Sequence, residues 1–266
     1  MTLLFPFIAI ALGAIVGSFL NVVIHRYPRE ESIVFPASHC PHCNTPIKPW
    51  DNVPVLAWIW LLGKCRACRQ PISMRYPLIE LANALFYFAI YQRTGLTIGF
   101  FAIAALVSMT IVLIYIDLEI QILPDVIDLP GVAIGLGIGA AHLGALYPHL
   151  LLSRTLLESV TGAIAGAGIL LVIGMSYKLV RKVEGMGLGD VKMMAMLGAV
   201  MGWEPIFPLL LIASVAGAIV GLFVAMRSKE GMMVAIPFGV FLGLAFLVVL
   251  FFGPTLWEWY LALLLR

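Results

Sequence analysis

Charged residues are scarce in this chain of 266 residues: only 11% are Asp, Glu, Lys or Arg, whereas 62% are hydrophobic. Soluble domains average about 25% charged and about 45–50% apolar residues, so the composition excludes an ordinary water-soluble globule. A disordered chain needs the opposite balance and is excluded as well. The net charge of +2 gives no basic field that would favour nucleic acid. With a mean hydropathy of +1.05, the chain is predicted to lie mostly in a lipid bilayer.

Apolar runs long enough to cross a bilayer occur about eight times, since a span needs roughly 20 apolar residues. They cover 3–24, 77–92, 97–116, 127–147, 156–177, 189–202, 205–226 and 234–256. The first run lacks the basic start of a secretory signal, so we expect a retained span. We predict an all-α polytopic membrane protein of about eight transmembrane helices, with a small polar subdomain after the first.

Basic residues set the predicted orientation, because the inner loops of membrane proteins carry an excess of Lys and Arg. With the N-terminus outside, 13 of the 16 basic residues fall inside. The inner set is Arg26, Arg29, Lys48, Lys64, Arg66, Arg69, Arg75, Lys178, Arg181, Lys182, Lys192, Arg227 and Lys229. Arg93, Arg154 and Arg266 stay outside. We therefore expect both termini outside, and the polar segment 26–76 and the loops around Asp117 and Asp190 in the cytoplasm.

The sequence has no internal repeat long enough to indicate an inverted-repeat transporter, and no low-complexity tract. Glycines at 162, 166 and 168 would give one helix a face for close packing.

All four cysteines fall in the polar segment 26–76, as two Cys-x-x-Cys pairs separated by about 20 residues. This spacing is typical of a closed tetrahedral zinc site, which would hold the subdomain together and perform no chemistry. Two disulfides are disfavoured by a reducing cytoplasm, and a redox motif would need one pair in a thioredoxin-like frame. The predicted ligands are Cys40, Cys43, Cys65 and Cys68. His39 and His42 could substitute, and Trp50, Trp58 and Trp60 are expected to pack the subdomain or seat it at the interface.

Acids near apolar runs are functional candidates, because burying an ionised carboxylate costs several kcal/mol. A span ends on Ile116-Asp117, and Leu123-Pro124-Asp125 follows. Gly185-Met186-Gly187-Leu188-Gly189-Asp190 then brings an acid to the start of another span. Gly187 and Gly189 would admit backbone dihedrals that other residues resist and let backbone approach a substrate. Alternatively, Asp190 is only the N-cap of its helix and Asp117 an ordinary interfacial charge.

Two acids on one membrane face, from different helices, would suit an aspartyl protease. Two crowded carboxyl groups share one proton, so that one serves as general base while the other polarises the scissile carbonyl. Such a pair titrates as a unit.

Taken in order, these strings resemble the bacterial prepilin peptidases, a family of polytopic aspartyl proteases. The resemblance begins with Gly17-Ser18-Phe19-Leu20-Asn21 through Val22-Val23-Ile24-His25-Arg26, and includes Arg75-Tyr76-Pro77-Leu78-Ile79-Glu80-Leu81 and Ile236-Pro237-Phe238-Gly239. It runs over nearly the whole chain. One departure is a somewhat longer stretch between Asp125 and Asp190, which we assign to an outer loop around 141–154.

The resemblance implies a two-activity enzyme of the bacterial inner membrane. Such enzymes cut the leader from type IV prepilins and type II secretion pseudopilins, then methylate the new N-terminus with S-adenosylmethionine. It implies Asp117 and Asp190 as the catalytic acids, with Asp125 in reserve. It also implies a first helix (1–25) and a zinc subdomain (26–76) associated with methyl transfer, followed by a peptidase domain (77–266). No glycine-rich nucleotide loop is evident. Glu80 could pair with the cofactor's sulfonium or the substrate amine, although a structural pair with Arg75 is favoured.

Three rival functions stay open at this point. A leader peptidase without methyl transfer would use the cysteine loop only to hold substrate. A metal or ion transporter would use Asp117, Asp125 and Asp190 as ligands near the bilayer midplane, whereas these acids are predicted at span ends. A non-enzymatic scaffold would tolerate replacement of both aspartates.

Overall fold

The structure is a computed structural model that describes residues 4–183, 185–227 and 236–264. Within these ranges the secondary structure is helical, without strands longer than an isolated bridge. The predicted inner residue Lys229 and the outer residue Arg266 lie outside the described residues. The α-helices are α1 Leu4–Arg26, α2 Leu56–Trp60, α3 Arg75–Thr94, α4 Ile98–Ile120, α5 Asp125–Ala140, α6 Leu143–Leu146, α7 Leu156–Arg181, α8 Leu188–Met201, α9 Ile206–Arg227 and α10 Phe238–Leu264.

Five of the eight predicted spans are long and apolar enough to cross a membrane. They lie at Leu4–Arg29, Ile98–Ile120, Leu156–Arg181, Ile206–Arg227 and Phe238–Leu256. Of the other three, α5 has 16 residues and α8 has 14, so they reach only about 24 Å and about 21 Å at 1.5 Å per residue. The third, α3, carries Arg75, Glu80 and Arg93. The described helices thus support a polytopic membrane protein with five clear spans.

The chain forms two compact units, residues 1–112 and 113–266. In the first unit, α1 and α3 run antiparallel in close contact. A Cβ atom on Gly13 would lie 2.8 Å from Ala84 Cα, and one on Gly17 would lie 2.7 Å from Glu80 Cα. Asn83, fully buried, donates to the Gly13 carbonyl over 2.7 Å. Glycine is therefore what lets these two backbones meet.

In the second unit, α7 crosses α8 antiparallel through a pair of glycines. A Cβ on Gly162 would lie 2.1 Å from the Gly198 carbonyl oxygen, and a Cβ on Gly198 would lie 2.2 Å from the Gly162 oxygen. Gly166 meets the Met194 carbonyl in the same way at 2.7 Å. The predicted packing face is confirmed at these two positions of α7. It is wrong for Gly168, where a Cβ would meet no atom within 4 Å, because that residue points away from α8.

Helices α5 and α8 run in the same direction, with Gly135 of α5 against Ala199 of α8. Gly135 and Ala199 each lie about ten residues after the start of their helix. The first turns of α5 and α8, which contain Asp125 and Asp190, therefore lie at the same end of the unit. The pairing of α4 with α10 is antiparallel, since Gly243 meets Ile114. This arrangement brings the end of α4 and the starts of α5, α8 and α10 to the same end.

The segment that we assigned to an outer loop folds onto the opposite end of this unit. The Ser153 amide donates to the carbonyl of Val200, and the Leu151 amide donates to that of Leu250. Val200 lies ten residues beyond Asp190 on α8, and Leu250 lies ten residues beyond Val240, the α10 residue whose amide contacts Asp117. The extra residues are therefore remote from those acids within this unit, as predicted.

Candidate aspartate active site and four-cysteine cluster

Both Cys-x-x-Cys pairs adopt the same tight turn. In the first, the Cys40 amide donates to the Thr45 carbonyl over 3.0 Å, and the Asn44 amide returns to the Cys40 carbonyl over 2.9 Å. The second repeats this pattern, with the Arg69 amide donating to the Cys65 carbonyl over 3.0 Å. The residue after each second cysteine takes a positive φ, 55° at Asn44 and 62° at Arg69. Each turn thereby points two sulfur atoms to one side.

The four sulfur atoms converge as the spacing predicts. All four Sγ atoms lie within 4.8 Å of one another, and Cys40 Sγ is 3.8 Å from Cys68 Sγ. Tetrahedral zinc with sulfur ligands at about 2.3 Å separates those ligands by about 3.8 Å, whereas a disulfide needs about 2.05 Å. The described residues place neither His39 nor His42 in this group. The donor set therefore fits a structural zinc ion.

The thiol chemistry of the cluster is consistent with metal binding. The Thr45 hydroxyl lies 3.2 Å from Cys43 Sγ, and the hydroxyl and amide of Thr45 lower the pKa of Cys43 to about 6. Zinc ligands must be thiolates, so the shift at Cys43 favours the binding form at neutral pH. The Gln70 amide lowers the pKa of Cys68, but it is outweighed by burial and by the other three sulfur atoms, which raise that pKa to about 11. Beside the cluster, Arg66 forms two hydrogen bonds to Asp51, at 2.8 Å and 2.6 Å, and lowers the pKa of that carboxyl.

The three tryptophans differ in their environments. Trp58 donates its indole N–H to the Ile72 carbonyl over 3.1 Å, and its ring covers Gly63. Trp50 and Trp60 are about half exposed. Only Trp58 therefore packs the inside of the subdomain.

Glu80 accepts a hydrogen bond from a strained turn in the first unit. Val55 has φ 61° and ψ −53°, and the Leu56 amide donates to the Pro54 carbonyl over 2.6 Å, which is a γ-turn. A β-branched residue rarely adopts this conformation. The Val55 amide donates to Glu80 Oε2 over 2.7 Å, and the carboxyl group is 8% exposed. Glu80 Oε2 is therefore already hydrogen-bonded to the backbone of the protein.

Asp117, in the last turn of α4, is held by the start of α10. Its Oδ2 accepts the Val240 amide over 3.0 Å, and its carboxylate also interacts with the Gly239 amide. A Cβ at Gly239 would lie 2.8 Å from the same oxygen. The carboxyl group is 4% exposed. Sequence reasoning singled out the Pro237-Phe238-Gly239 string without a role, and its role in the structure is to bring backbone N–H groups to Asp117.

Asp190 lies in the first turn of α8, whose N-cap is Gly187. It is therefore the third helical residue, not the N-cap, and its carboxylate interacts with the Gly187 amide and with the charge of Asp117. The expectation of unusual glycine dihedrals is wrong, because positive φ among described glycines occurs only at residues 63, 95 and 202. Gly189 is instead required by contact, since a Cβ there would lie 2.9 Å from Leu123 Cβ.

Asp125 has a different environment from the other two candidates. Its side chain is 55% exposed, and both oxygens lie 2.7 Å from Lys192 Nζ. This ion pair joins the first turn of α5 to the first turns of α8. Asp125 is thus a solvent-facing partner of Lys192, whereas Asp117 and Asp190 are buried and interact with each other.

Asp128, one turn after Asp125, is an acid to which the sequence analysis assigned no role. It is fully buried, and neither carboxyl oxygen has a hydrogen-bond partner among the described residues. It interacts electrostatically with Asp125, Lys192 and Asp190. The sequence signal was a second acid one helical turn into an otherwise apolar helix.

Asp117 and Asp190 are buried carboxyl groups on separate helices whose charges interact, an arrangement suited to acid–base hydrolysis. Two models of known protein families match this chain. Residues 104–222 match the model of the Type IV leader peptidase family, and residues 11–94 match the Bacterial Peptidase A24 N-terminal domain. Curated relatives cover nearly all of the chain at more than 35% identity. The chain belongs to the type IV leader peptidase family.

Three of these relatives are each named prepilin leader peptidase/N-methyltransferase. The protein of Aeromonas hydrophila is 36% identical, over 92% of this chain and 90% of its own length. The protein of Burkholderia pseudomallei strain 1026b is 39% identical, over 92% of this chain and 84% of its own length. The protein of Pseudomonas aeruginosa is 36% identical, over 97% of this chain and 94% of its own length. No solved structure matches the chain. Both acids fall in the leader-peptidase match, and the four cysteines fall in the N-terminal match.

Proposed function

We propose that this chain removes the leader peptide from prepilins and pseudopilins and then methylates the new N-terminus. Family membership and the names of relatives over more than 90% of the chain support both activities. The observation that carries the peptidase assignment is the buried pair Asp117 and Asp190, whose carboxyl groups interact and sit at helix ends.

In the proposed reaction, Asp117 and Asp190 share one proton. Ionised Asp117 removes a proton from water as the water oxygen bonds to the scissile carbonyl carbon, and protonated Asp190 gives its proton to the carbonyl oxygen. The tetrahedral intermediate then collapses: the C–N bond breaks, the amine takes the proton held by Asp117, and the hydroxyl proton returns to Asp190. The acids end in their starting states. The backbone N–H groups of Gly239 and Val240 stabilise the charge on Asp117.

The topology that suits this reaction has the acids at the cytoplasmic face. We infer eight helices across or partly across the membrane, with both termini outside, from the distribution of basic residues. The short helices α5 and α8 then begin at the acids, where cytosolic water has access. Asp125, exposed and paired with Lys192, joins α5 to α8 and takes no part in the chemistry.

Cys40, Cys43, Cys65 and Cys68 would hold a structural zinc ion, which orders the subdomain and supplies no reactive position. S-adenosylmethionine would supply the methyl group. Glu80 was the candidate contact for this cofactor, but its Oε2 is bonded to the Val55 amide. We therefore assign Glu80 to holding the turn at Val55.

The test is mass spectrometry of a co-expressed prepilin, which reports leader loss and N-methylation in one spectrum. Asp117→Asn and Asp190→Asn should each abolish leader loss while the protein still inserts and retains zinc. Leader removal by either variant would refute the dyad. Cleavage without methylation by the unaltered chain would favour the single-activity peptidase. Ion uptake by reconstituted vesicles that is lost in Asp117→Ala would favour the transporter.

A further inference from the structure

Residues 53–63 form an apolar run inside the zinc subdomain, and they include the short helix α2. Between Asn52 and Lys64 no side chain carries a charge, a hydroxyl or an amide. A run of this length is about half of what a membrane span needs, and such runs are found in a buried core, in a re-entrant segment or at a membrane interface. The exposure of the side chains distinguishes these places.

One face of α2 packs on the subdomain, and the other is exposed. On the inner side Ala57 is buried, and Trp58 donates its indole N–H to the Ile72 carbonyl over 3.1 Å. The outer face consists of large apolar side chains that are three or four residues apart and about half exposed: Leu56, Ile59 and Trp60. Leu62, just after the helix, is 81% exposed. The run is therefore not a core segment, and its outer side is an exposed apolar patch of the kind that marks an interaction surface.

The level at which α2 begins is set by Glu80. The Val55 amide, directly before α2, donates to Glu80 Oε2 over 2.7 Å. On α1 the residue opposite Glu80 is Gly17, whose Cβ would lie 2.7 Å from Glu80 Cα. Gly17 precedes Arg26, the last residue of α1, by nine residues, which is about 13 Å along the helix axis. Because a glutamate side chain is much shorter than this distance, α2 begins beside the last turns of α1 and not beyond its end.

The helix beside which α2 begins is a membrane span. Residues Leu4–Arg29 are long and apolar enough to cross a bilayer. On α3, Leu78 and Leu81 lie on either side of Glu80 in the sequence, and both are about half exposed. Apolar side chains are thus exposed on α2 and on α3 at one level along a spanning helix. This is the pattern of a surface that faces lipid.

Basic residues border the run on both sides. Before it, Lys48 Nζ lies 5.4 Å from the ring centroid of Trp50, which is itself more than half exposed. After it, Lys64 follows Gly63 directly. Tryptophan and lysine are typical anchors at a membrane interface, where lysine meets anionic headgroups. Protein interfaces are depleted in lysine, so this combination favours lipid as the occupant of the apolar patch.

We propose that residues 53–63 insert at the boundary between headgroups and acyl chains beside the C-terminal end of α1, with the outer face of α2 in contact with lipid. In the topology proposed above this is the cytoplasmic leaflet. The hydrogen bond from Val55 to Glu80 then holds α2 at its depth. The Ile72 amide donates to the Gly63 carbonyl over 2.7 Å and ties the run to the chain after the second cysteine turn. The zinc subdomain is thereby held at the bilayer surface.

The test is photocrosslinking of the full-length protein reconstituted in vesicles of phosphatidylethanolamine and phosphatidylglycerol. A benzophenone amino acid replaces Ile59 in one variant and Leu62 in another, and mass spectrometry identifies the molecule attached to it after irradiation. We expect phospholipid adducts at both positions. The matched control carries the same probe in place of Gln70, an exposed residue of the same subdomain, where the phospholipid adducts should be lost.

Zinc content and a thermal unfolding temperature equal to those of the unaltered chain identify folded variants, and the two probe positions guard against a defect in one of them. Absence of phospholipid adducts at both positions would overturn the proposal. Adducts to a second copy of the chain or to another protein would also overturn it, because a protein would then cover α2. Equal phospholipid adducts at position 70 would contradict a contact confined to the run. None of these outcomes depends on leader removal, so each is distinct from failure of the peptidase assignment.

Discussion

Gly239→Ala tests whether the backbone of α10 positions the Asp117 carboxylate for its proposed catalytic role. The added Cβ would lie 2.8 Å from Asp117 Oδ2, 3.2 Å from its Cγ and 3.0 Å from Leu123 Cδ1, whereas ordinary contacts begin near 3.4 Å. The Asp117 carboxylate or the start of α10 must therefore retreat by roughly half an ångström. That movement lengthens the hydrogen bond from the Val240 amide, which is 3.0 Å in the native arrangement.

A displacement of this size should reduce kcat for leader removal by about 10- to 100-fold, because misplacement of a reacting group by about 1 Å can cost about 100-fold. KM should change much less, since a displaced catalytic acid weakens stabilisation of the transition state rather than binding of the ground state. The assay is steady-state cleavage of a purified prepilin in detergent. Gly137→Ala is the matched control, because a Cβ there meets no atom within 4 Å, and its kcat should stay within about twofold. Native kcat in Gly239→Ala would refute the positioning role of α10.

Four further outcomes are expected. Asp125→Asn should lower activity by less than about tenfold, since it breaks an exposed ion pair worth at most about 1 kcal/mol; complete loss of cleavage would make Asp125 a catalytic acid. Metal analysis should find one zinc per chain, absent from Cys40→Ser. Because zinc binds the thiolate form, protons compete with the metal for the four sulfur atoms, so a zinc indicator should report release on acidification; tighter retention in acid would contradict this. Gly198→Ala, whose Cβ would lie 2.2 Å from the Gly162 oxygen, should lower the thermal unfolding temperature, whereas Gly168→Ala should not.

Features encoded over a few residues were predictable from sequence. The Cys-x-x-Cys turns depend on hydrogen bonds within six residues, so their spacing was enough to predict that the four sulfur atoms converge. The helical character of the chain followed from composition. The candidate acids Asp117 and Asp190 were found because each lies at the end of an apolar run.

Features that depend on distant packing were not predictable. The N–H donors to Asp117 come from residues more than 120 positions away. The burial of Asp128 and the exposure of Asp125 depend on which side of α5 faces α8, and a two-acid pattern one turn apart does not specify this. The glycines before Asp190 were assigned to dihedral freedom, whereas Gly189 is required by its contact with Leu123. In each case the missing information was the identity of a neighbouring helix.

The dependence of Asp117 on α10 has a consequence for biogenesis. A chain emerges from the ribosome from its N-terminus, so α4 and α8 are made well before residues 239 and 240. Until those residues arrive, the Asp117 carboxylate lacks the amides that hold it. A nascent chain that has inserted α4 and α8 therefore still lacks the contacts that hold Asp117, and under the proposed mechanism it would gain hydrolytic competence only with the synthesis of α10.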